Sequence, residues 1–159
     1  MTDRSCRVLL IYPKFVPNSF WNYAESCKLV DARYPAAPLG LITVAALLPQ
    51  SWEFKLVNCN TEELDPVDID WADMVMTGGM MNQQPDCLRL ISLCHANDKP
   101  VVVGGPDATS SPHLYTSADF QVQRGSGQYC ARFYSPVRRT GIISSHAILS
   151  ALHQQYVRV

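Results

Sequence analysis

Two stretches hold the residues best suited to meeting a ligand. In the first, Thr77, Gly78, Gly79 and Met80 close an apolar run, with Asn82 and Gln83 just beyond; in the second, Gly104, Gly105, Pro106 and Asp107 follow three valines, with Thr109 close behind. A glycine pair at a strand exit leaves the backbone bare, so a flat ligand can come close to its N–H and C=O groups. The amides, carboxylate and hydroxyl past the turns can then address polar groups on the ligand's rim. The alternative for each pair is a tight turn that meets no ligand. Nothing here assigns a catalytic residue or a metal ligand. Cys87, Cys94 and His95 invite a metal reading, but Cys87 and Cys94 share one helical face with Leu90 and Ile91, which is the pattern of a core. The acids Glu62, Glu63, Asp65, Asp68, Asp70 and Asp73 have the spacing of a solvated face, not of a cage closing around a cation.

The elements that position the glycine pairs follow from hydrophobic patterning. Val101 to Val103, in the stretch Lys99 to Ala108, is an unbroken valine run and predicts a central strand of a parallel sheet, buried on both faces. Asp73 to Thr77 predicts another. Arg7 to Tyr12, bounded by Pro13, predicts the first strand, Trp52 to Asn58 a strand nearer the edge, and Ala118 to Gln123 a fifth. Leu39 to Leu48 is apolar nearly all round and stands between Pro38 and Pro49, which predicts a buried helix. Gln84 to about Asn97 predicts a second helix, and the acidic stretch around Pro66 a short helical turn. Together these predict an α/β fold: an open five-stranded parallel sheet in a flavodoxin-like, Rossmann-like three-layer sandwich. Its ligand edge would comprise both glycine turns and the loop after the first strand.

That loop is unusual. Between Pro13 and Pro38 it carries four prolines and the aromatics Phe15, Phe20, Trp21, Tyr23 and Tyr34, with no sustained helical period. Long loops of this kind are uncommon unless they cover something, so it is expected to wall the ligand edge or to pack on its own aromatics.

At 159 residues and 47% hydrophobic content, the chain has the size and apolar content of one domain. The apolar run near the amino terminus is too short for a signal peptide or a membrane span, which predicts a cytoplasmic protein without membrane contact. Six cysteines without CxxC spacing predict reduced thiols. All fourteen acids lie at or before Asp119, while Arg124, Arg132, Arg138, Arg139 and Arg158 occupy the last thirty-six positions. The boundary therefore falls at about residue 123, dividing a 1–123 domain from a basic 124–159 tail. The tail's arginines are too dispersed for a nucleic-acid footprint. Within the tail, Ile142 to Leu152 has apolar residues at helical spacing that would pack on an exposed sheet face or on a second copy of the chain.

The order RVLLIYP, PLGLITVAALLP, WADMVMTGGM, KPVVVGGPDAT resembles the amino-terminal cobalamin-binding domain of B12-dependent radical SAM enzymes, the methyltransferases among them, from Arg7 to about Val122. The resemblance implies cobalamin as the ligand of the glycine edge, with Thr77 where related domains turn a small hydroxyl toward the nucleotide tail. It implies Tyr12, Phe15, Trp21 and Tyr34 as candidates against the lower corrin face. Better-known cobalamin domains carry Asp-x-His-x-x-Gly in this loop, whereas Pro13 to Pro38 contains no histidine. The implied state is therefore base-off, without a lower histidine, as in the radical SAM subfamily. The Cys-x3-Cys-x2-Cys trio of those enzymes is absent, so this chain is not expected to hold a [4Fe-4S] cluster. It would be the cofactor-binding half of an enzyme whose radical SAM domain is missing here; the acid-free tail reads as a genuine extension, an artefact or a shifted frame, and the abrupt loss of every Asp and Glu favours the last. A phosphorelay receiver lacks support, since the first and third strands end in Tyr12, Pro13 and Thr77 instead of acids. A flavin mononucleotide module lacks a Ser/Thr-rich phosphate loop. The remaining alternative is a scaffold or interaction domain that has lost its ligand.

Overall fold

The computed structural model describes residues 5–124 and 129–133. Five strands, β1 (Arg7–Tyr12), β2 (Glu53–Asn58), β3 (Met74–Gly78), β4 (Val101–Gly104) and β5 (Phe120–Arg124), form an open parallel sheet in the order β2-β1-β3-β4-β5. This is the expected flavodoxin-like order. A sixth strand, β6 (Tyr129–Phe133), adds antiparallel to β5 with Phe120 opposite Phe133. It extends the sheet past residue 123, and the sequence pattern does not foreshadow it. The expected helix at Ile142 to Leu152 lies outside the described residues.

The apolar strand runs supply two cores at once because alternate side chains point to opposite faces. Leu9, Ile11, Val75, Val101 and Val103 enter one cluster, while Val8, Leu10, Met74, Met76 and Val102 enter the other. The first is covered by α4 (Gln84–Ala96) through Cys87, Leu90, Ile91 and Cys94, and by Ile69 of α3 (Pro66–Trp71). The second is met by Val44 and Ala45 of α2 (Leu39–Leu47), followed by Leu48 and Trp52.

Three expectations need correction. The helix predicted as buried, α2, buries only Leu41, and Leu39 and Ile42 are 67% and 47% exposed. An all-apolar helix resting on a sheet has one side against it, and no described element covers the other. The loop after β1 contains a short helix, α1 (Ala24–Leu29), preceded by Tyr23 at φ 50°. The acidic stretch is only partly solvated. Asp65 caps α3 by accepting from Val67 N at 2.9 Å, buried Asp68 pairs with Lys55, and Asp73 pairs with Arg7 at 3.3 Å. Burial raises the Asp73 pKa, but its hydrogen bonds from Arg7 and the charges of Arg7 and Lys99 outweigh this and hold it below the usual value.

His95 is accounted for structurally. Its Nε2 lies 2.8 Å from Asp119 Oδ2, and the same oxygen accepts from Val101 N at 2.8 Å, tying the end of α4 to the start of β4. Among the described residues no group of three His, Cys, Asp or Glu is placed to hold a metal ion, and no helix is long and apolar enough to cross a membrane. Burial pushes the thiols of Cys6 and Cys87 up to about 12 and those of Cys59 and Cys94 to about 11.

Leu90 is fully buried, so Leu90→Ala should cost ~2–5 kcal/mol, whereas Ile42→Ser on the open side of α2 should change stability by under ~0.5 kcal/mol. Urea unfolding of both variants checks this, and a large loss for Ile42→Ser would mean that α2 is covered. Iodoacetamide at pH 8 should leave Cys6, Cys59, Cys87 and Cys94 almost untouched in the native protein and alkylate them in denaturant, as counted by mass spectrometry.

Candidate functional site

The parallel register places Gly78 opposite Gly104, bringing the two glycine turns side by side at the carboxyl edge of the sheet. They are closer than side chains would allow. A Cβ on Gly78 would stand 2.2 Å from the Gly104 carbonyl oxygen, and one on Gly79 would stand 2.5 Å from Gln83 Oε1. Gly105 has φ +94°, and a Cβ there would lie 3.2 Å from both the N and the O of Gly79. Gly104 alone has ordinary room, its nearest neighbour being the Val122 carbonyl oxygen at 3.5 Å. At Gly105 the chain turns directly into α5 (Gly105–Ser110), with Pro106 in its first turn, and Asp107 N donates to Gly79 O at 3.2 Å. The β4 exit is therefore the open one: Gly105 and Pro106 are exposed and Gly104 is half-buried. In the β3 exit Gly78 is buried, while Gly79 and Met80 are half-buried and Gly79 has no room for a side chain.

A seam of buried polar groups supports these turns from beneath. Thr77 Oγ1 donates to Ile11 O at 2.9 Å and lies 3.9 Å from Cys87 Sγ. Tyr115 OH donates to Asp107 Oδ2, which also accepts from Gln84 Nε2 at 2.8 Å. Burial, reinforced by the hydrogen bond to Asp107, raises the Tyr115 pKa far above its ordinary value, so its hydroxyl remains a donor. Thr77 and Asp107, expected to face a ligand, are 2% and 3% exposed and bond within the protein.

The loop after β1 is anchored by amides. Gln83, fully buried, donates from Nε2 to Pro13 O at 2.7 Å and accepts from Met80 N at 3.0 Å. Asn60 donates to the same Pro13 carbonyl at 3.0 Å and accepts from Phe15 N at 2.9 Å. Asn82 accepts at its backbone carbonyl from Val16 N at 2.9 Å. Tyr12 OH donates to Ala36 O at 2.9 Å; burial raises its pKa, and a hydrogen bond with Gln83 opposes the rise. On this frame Tyr12, Phe15 and Tyr34 form an aromatic cluster with ring centroids 5.9 to 6.5 Å apart, and Met80 packs against it. The Trp21 side chain is outside the described set.

Two cavities flank Phe15. One of about 390 Å³ is bordered by Lys14, Asn60, Glu62 and Glu63, and the other, about 310 Å³, by Lys28, Arg33 and Tyr34. Both lie past the carboxyl ends of β1 and β2 instead of between the glycine turns. The structure thus brings the glycine exits and the aromatic loop to one edge, as their order in the chain predicts, and the two cavities flanking Phe15 lie on its loop side. Gln84, Tyr115, Asn60 and Arg33 belong to this edge and are not marked by the sequence pattern. Gln84 reaches Asp107 across 23 positions and Asn60 reaches Phe15 and Pro13 across 45 and 47, so no local spacing reveals these two.

Two curated proteins align with this chain. A protein named uncharacterized methyltransferase sll1242, from Synechocystis sp. (strain PCC 6803), is 48% identical over 106 residues, which are 67% of this chain and 20% of that protein. The hopanoid C-2 methylase of Rhodopseudomonas palustris is 33% identical over 119 residues, 73% of this chain and 22% of that protein. The chain spans about a fifth of the length of these relatives. No family model matches the chain, and no solved structure does.

The glycine geometry separates two neighbouring substitutions. Gly105→Ala should lose ~1–2 kcal/mol because an L side chain is strained at its positive φ and crowds Gly79, while Gly104→Ala should lose under ~0.5 kcal/mol. Thermal unfolding of the two variants reads the difference, and equal losses would contradict the turn geometry described above.

Proposed function

We propose that this chain is a cobalamin-binding module related to B12-dependent radical SAM methyltransferases, holding the cofactor base-off without a lower histidine and performing no catalysis alone. The observation that carries the reading is the carboxyl edge itself. Two glycine exits in register stand beside an aromatic-walled loop, in a chain of which about two thirds or more aligns with proteins named as a methyltransferase and a methylase. Pro13 to Pro38 contains no histidine, and the His95 ring is engaged by Asp119.

The residues suit a broad disc fringed with amides in part. Gly104, Gly105 and Pro106 present accessible backbone to it, and Tyr12, Phe15 and Met80 provide apolar cover. Thr77, Gly78, Gly79, Gln83 and Asp107 act from beneath, fixing the turns and excluding water through the hydrogen bonds already described, and Asn82 holds the loop by its backbone. When bound, cobalamin supplies a cobalt centre that can carry a methyl group. Partnership with a radical SAM domain belongs to the same reading.

One observation favours a second reading, a scaffold without ligand: Gly78, Gly79 and Gly105 are each accounted for by contacts within the protein.

Absorption spectra of the protein with hydroxocobalamin and with methylcobalamin separate the two. The module should bind both, and the visible band of methylcobalamin should move to shorter wavelength as its lower nitrogen is released. Binding with an unchanged methylcobalamin spectrum overturns the base-off assignment. Absence of binding to either corrinoid favours the scaffold.

A further inference from the structure

We propose that the free edge of β2 is a self-recognition surface: β2 of a second copy of this chain adds antiparallel to it, with Phe54 opposite the partner's Phe54. Among the described residues β2 stands at one margin of the sheet and pairs with β1 alone. Glu53 N donates to Cys6 O at 2.8 Å and Cys59 N donates to Tyr12 O at 3.0 Å, so the odd-numbered residues turn their N–H and C=O groups toward β1. Those of Phe54 and Leu56 therefore point away from the sheet, where they meet no partner among the described residues. The edge is stopped at both ends. Trp52 N donates to Pro49 O at 3.0 Å and Asn58 N donates to Glu62 Oε1 at 3.0 Å, which leaves a short open stretch between them.

Charge selects the register. Outward groups can bond only to outward groups of the partner, so even-numbered residues must stand opposite even-numbered ones. Centring the pairing on Glu53 puts two glutamates face to face, and centring it on Lys55 does the same with two lysines; both are unfavourable. Centring it on Leu56 sets Phe54 against Asn58, whose N–H is already taken by Glu62. Centring it on Phe54 instead places Glu53 opposite the partner's Lys55 and Lys55 opposite the partner's Glu53 on one face. On the other face Trp52, Phe54 and Leu56 meet the partner's Leu56, Phe54 and Trp52. That face is already apolar: the Trp52 and Phe54 rings lie 6.5 Å apart, Phe54 is half-buried and Leu56 is 36% exposed. A free lysine commonly guards an edge strand, but Lys55 is held by Asp68 of α3, and exposed Glu53 makes no ion pair among the described residues. The edge thus offers a partner an anion as well as a cation.

Sedimentation equilibrium of the full chain at concentrations up to about 1 mM reads the association, because so short an edge makes an interface at the weak end of the size range, below ~1,200 Å². Wild type should dimerise reversibly. Glu53→Lys sets lysine against lysine twice and should weaken the dimer about tenfold; Leu56→Pro removes an outward N–H without touching a bond to β1 and should weaken it at least as much. The register has its own test. Lys55→Glu alone should also lose the dimer, but mixed with Glu53→Lys it restores both opposite-charge pairs, so association should return in the mixture. Thermal unfolding identifies the variants that fold; Lys55→Glu gives up its pair with Asp68, and if it or Leu56→Pro unfolds, Glu53→Lys decides. A wild type that stays monomeric at every concentration overturns the surface. Dimerisation of folded Glu53→Lys or Leu56→Pro as strong as that of wild type places the contact elsewhere on the chain and overturns it equally. Folded Glu53→Lys and Lys55→Glu that fail to associate when mixed overturn the pairing centred on Phe54. No corrinoid enters these measurements, so their outcome is independent of the cobalamin reading.

Discussion

The close approach of two backbones, β3 at Gly78 and β4 at Gly104, is the constraint on which the carboxyl edge depends. With 2.2 Å between a hypothetical Cβ and the facing carbonyl, no other residue fits at Gly78 without displacing the neighbouring strand. That proximity lets Asp107 N reach Gly79 O and lets α5 begin at once from Gly105. Asp107 is thereby set under the turns, where Tyr115 and Gln84 satisfy its carboxylate. A buried carboxylate without such donors would cost several kcal/mol, so the seam and the glycines form one structural requirement.

The buried and the accessible groups of this edge are thus different parts of it. Gly78, Thr77, Gln83 and Asp107 are buried and, with the crowded backbone of Gly79, determine the shape of the turns. The surface left for a ligand is narrower: the backbone around Gly104 to Pro106, the aromatic cluster and the cavities flanking Phe15. Residues that look alike in the sequence, two glycine pairs after two strands, have therefore separated into a packed pair and a more open one.

Much of the fold was legible because strands buried on both faces leave an unmistakable trace. Val8 to Ile11 and Val101 to Val103 contain no polar residue, since alternate side chains enter two different cores. What stayed hidden depends on partners elsewhere in the chain. The apolarity of α2 shows what its residues are, not whether a second layer covers them, and Leu39 and Ile42 are open. Six residues of α1 are too few to display a period, and β6, with Arg132 and Ala131 among larger apolar residues, has only a weak alternation. At the site, glycine positions were visible but the atoms they meet were not. Gln83 is the plainest case: a glutamine just past a strand reads as a polar group available to a ligand, yet its bond to Pro13 O spans 70 positions and draws it fully inside.

The carbonyl of Pro13 has a consequence for the order in which the protein takes shape. It accepts from Asn60 and Gln83, 47 and 70 positions away, so the segments that follow β1, β2 and β3 converge on one oxygen atom. These separations match those of the β1–β2 and β1–β3 pairings, so the strands themselves bring the donors to this atom. The aromatic wall fixed by this atom is therefore finished only once three strands have assembled. A nascent or partly unfolded chain, even with its valine core in place, would lack the wall, and its Phe15 and Tyr34 rings would be exposed to whatever apolar surface they met first.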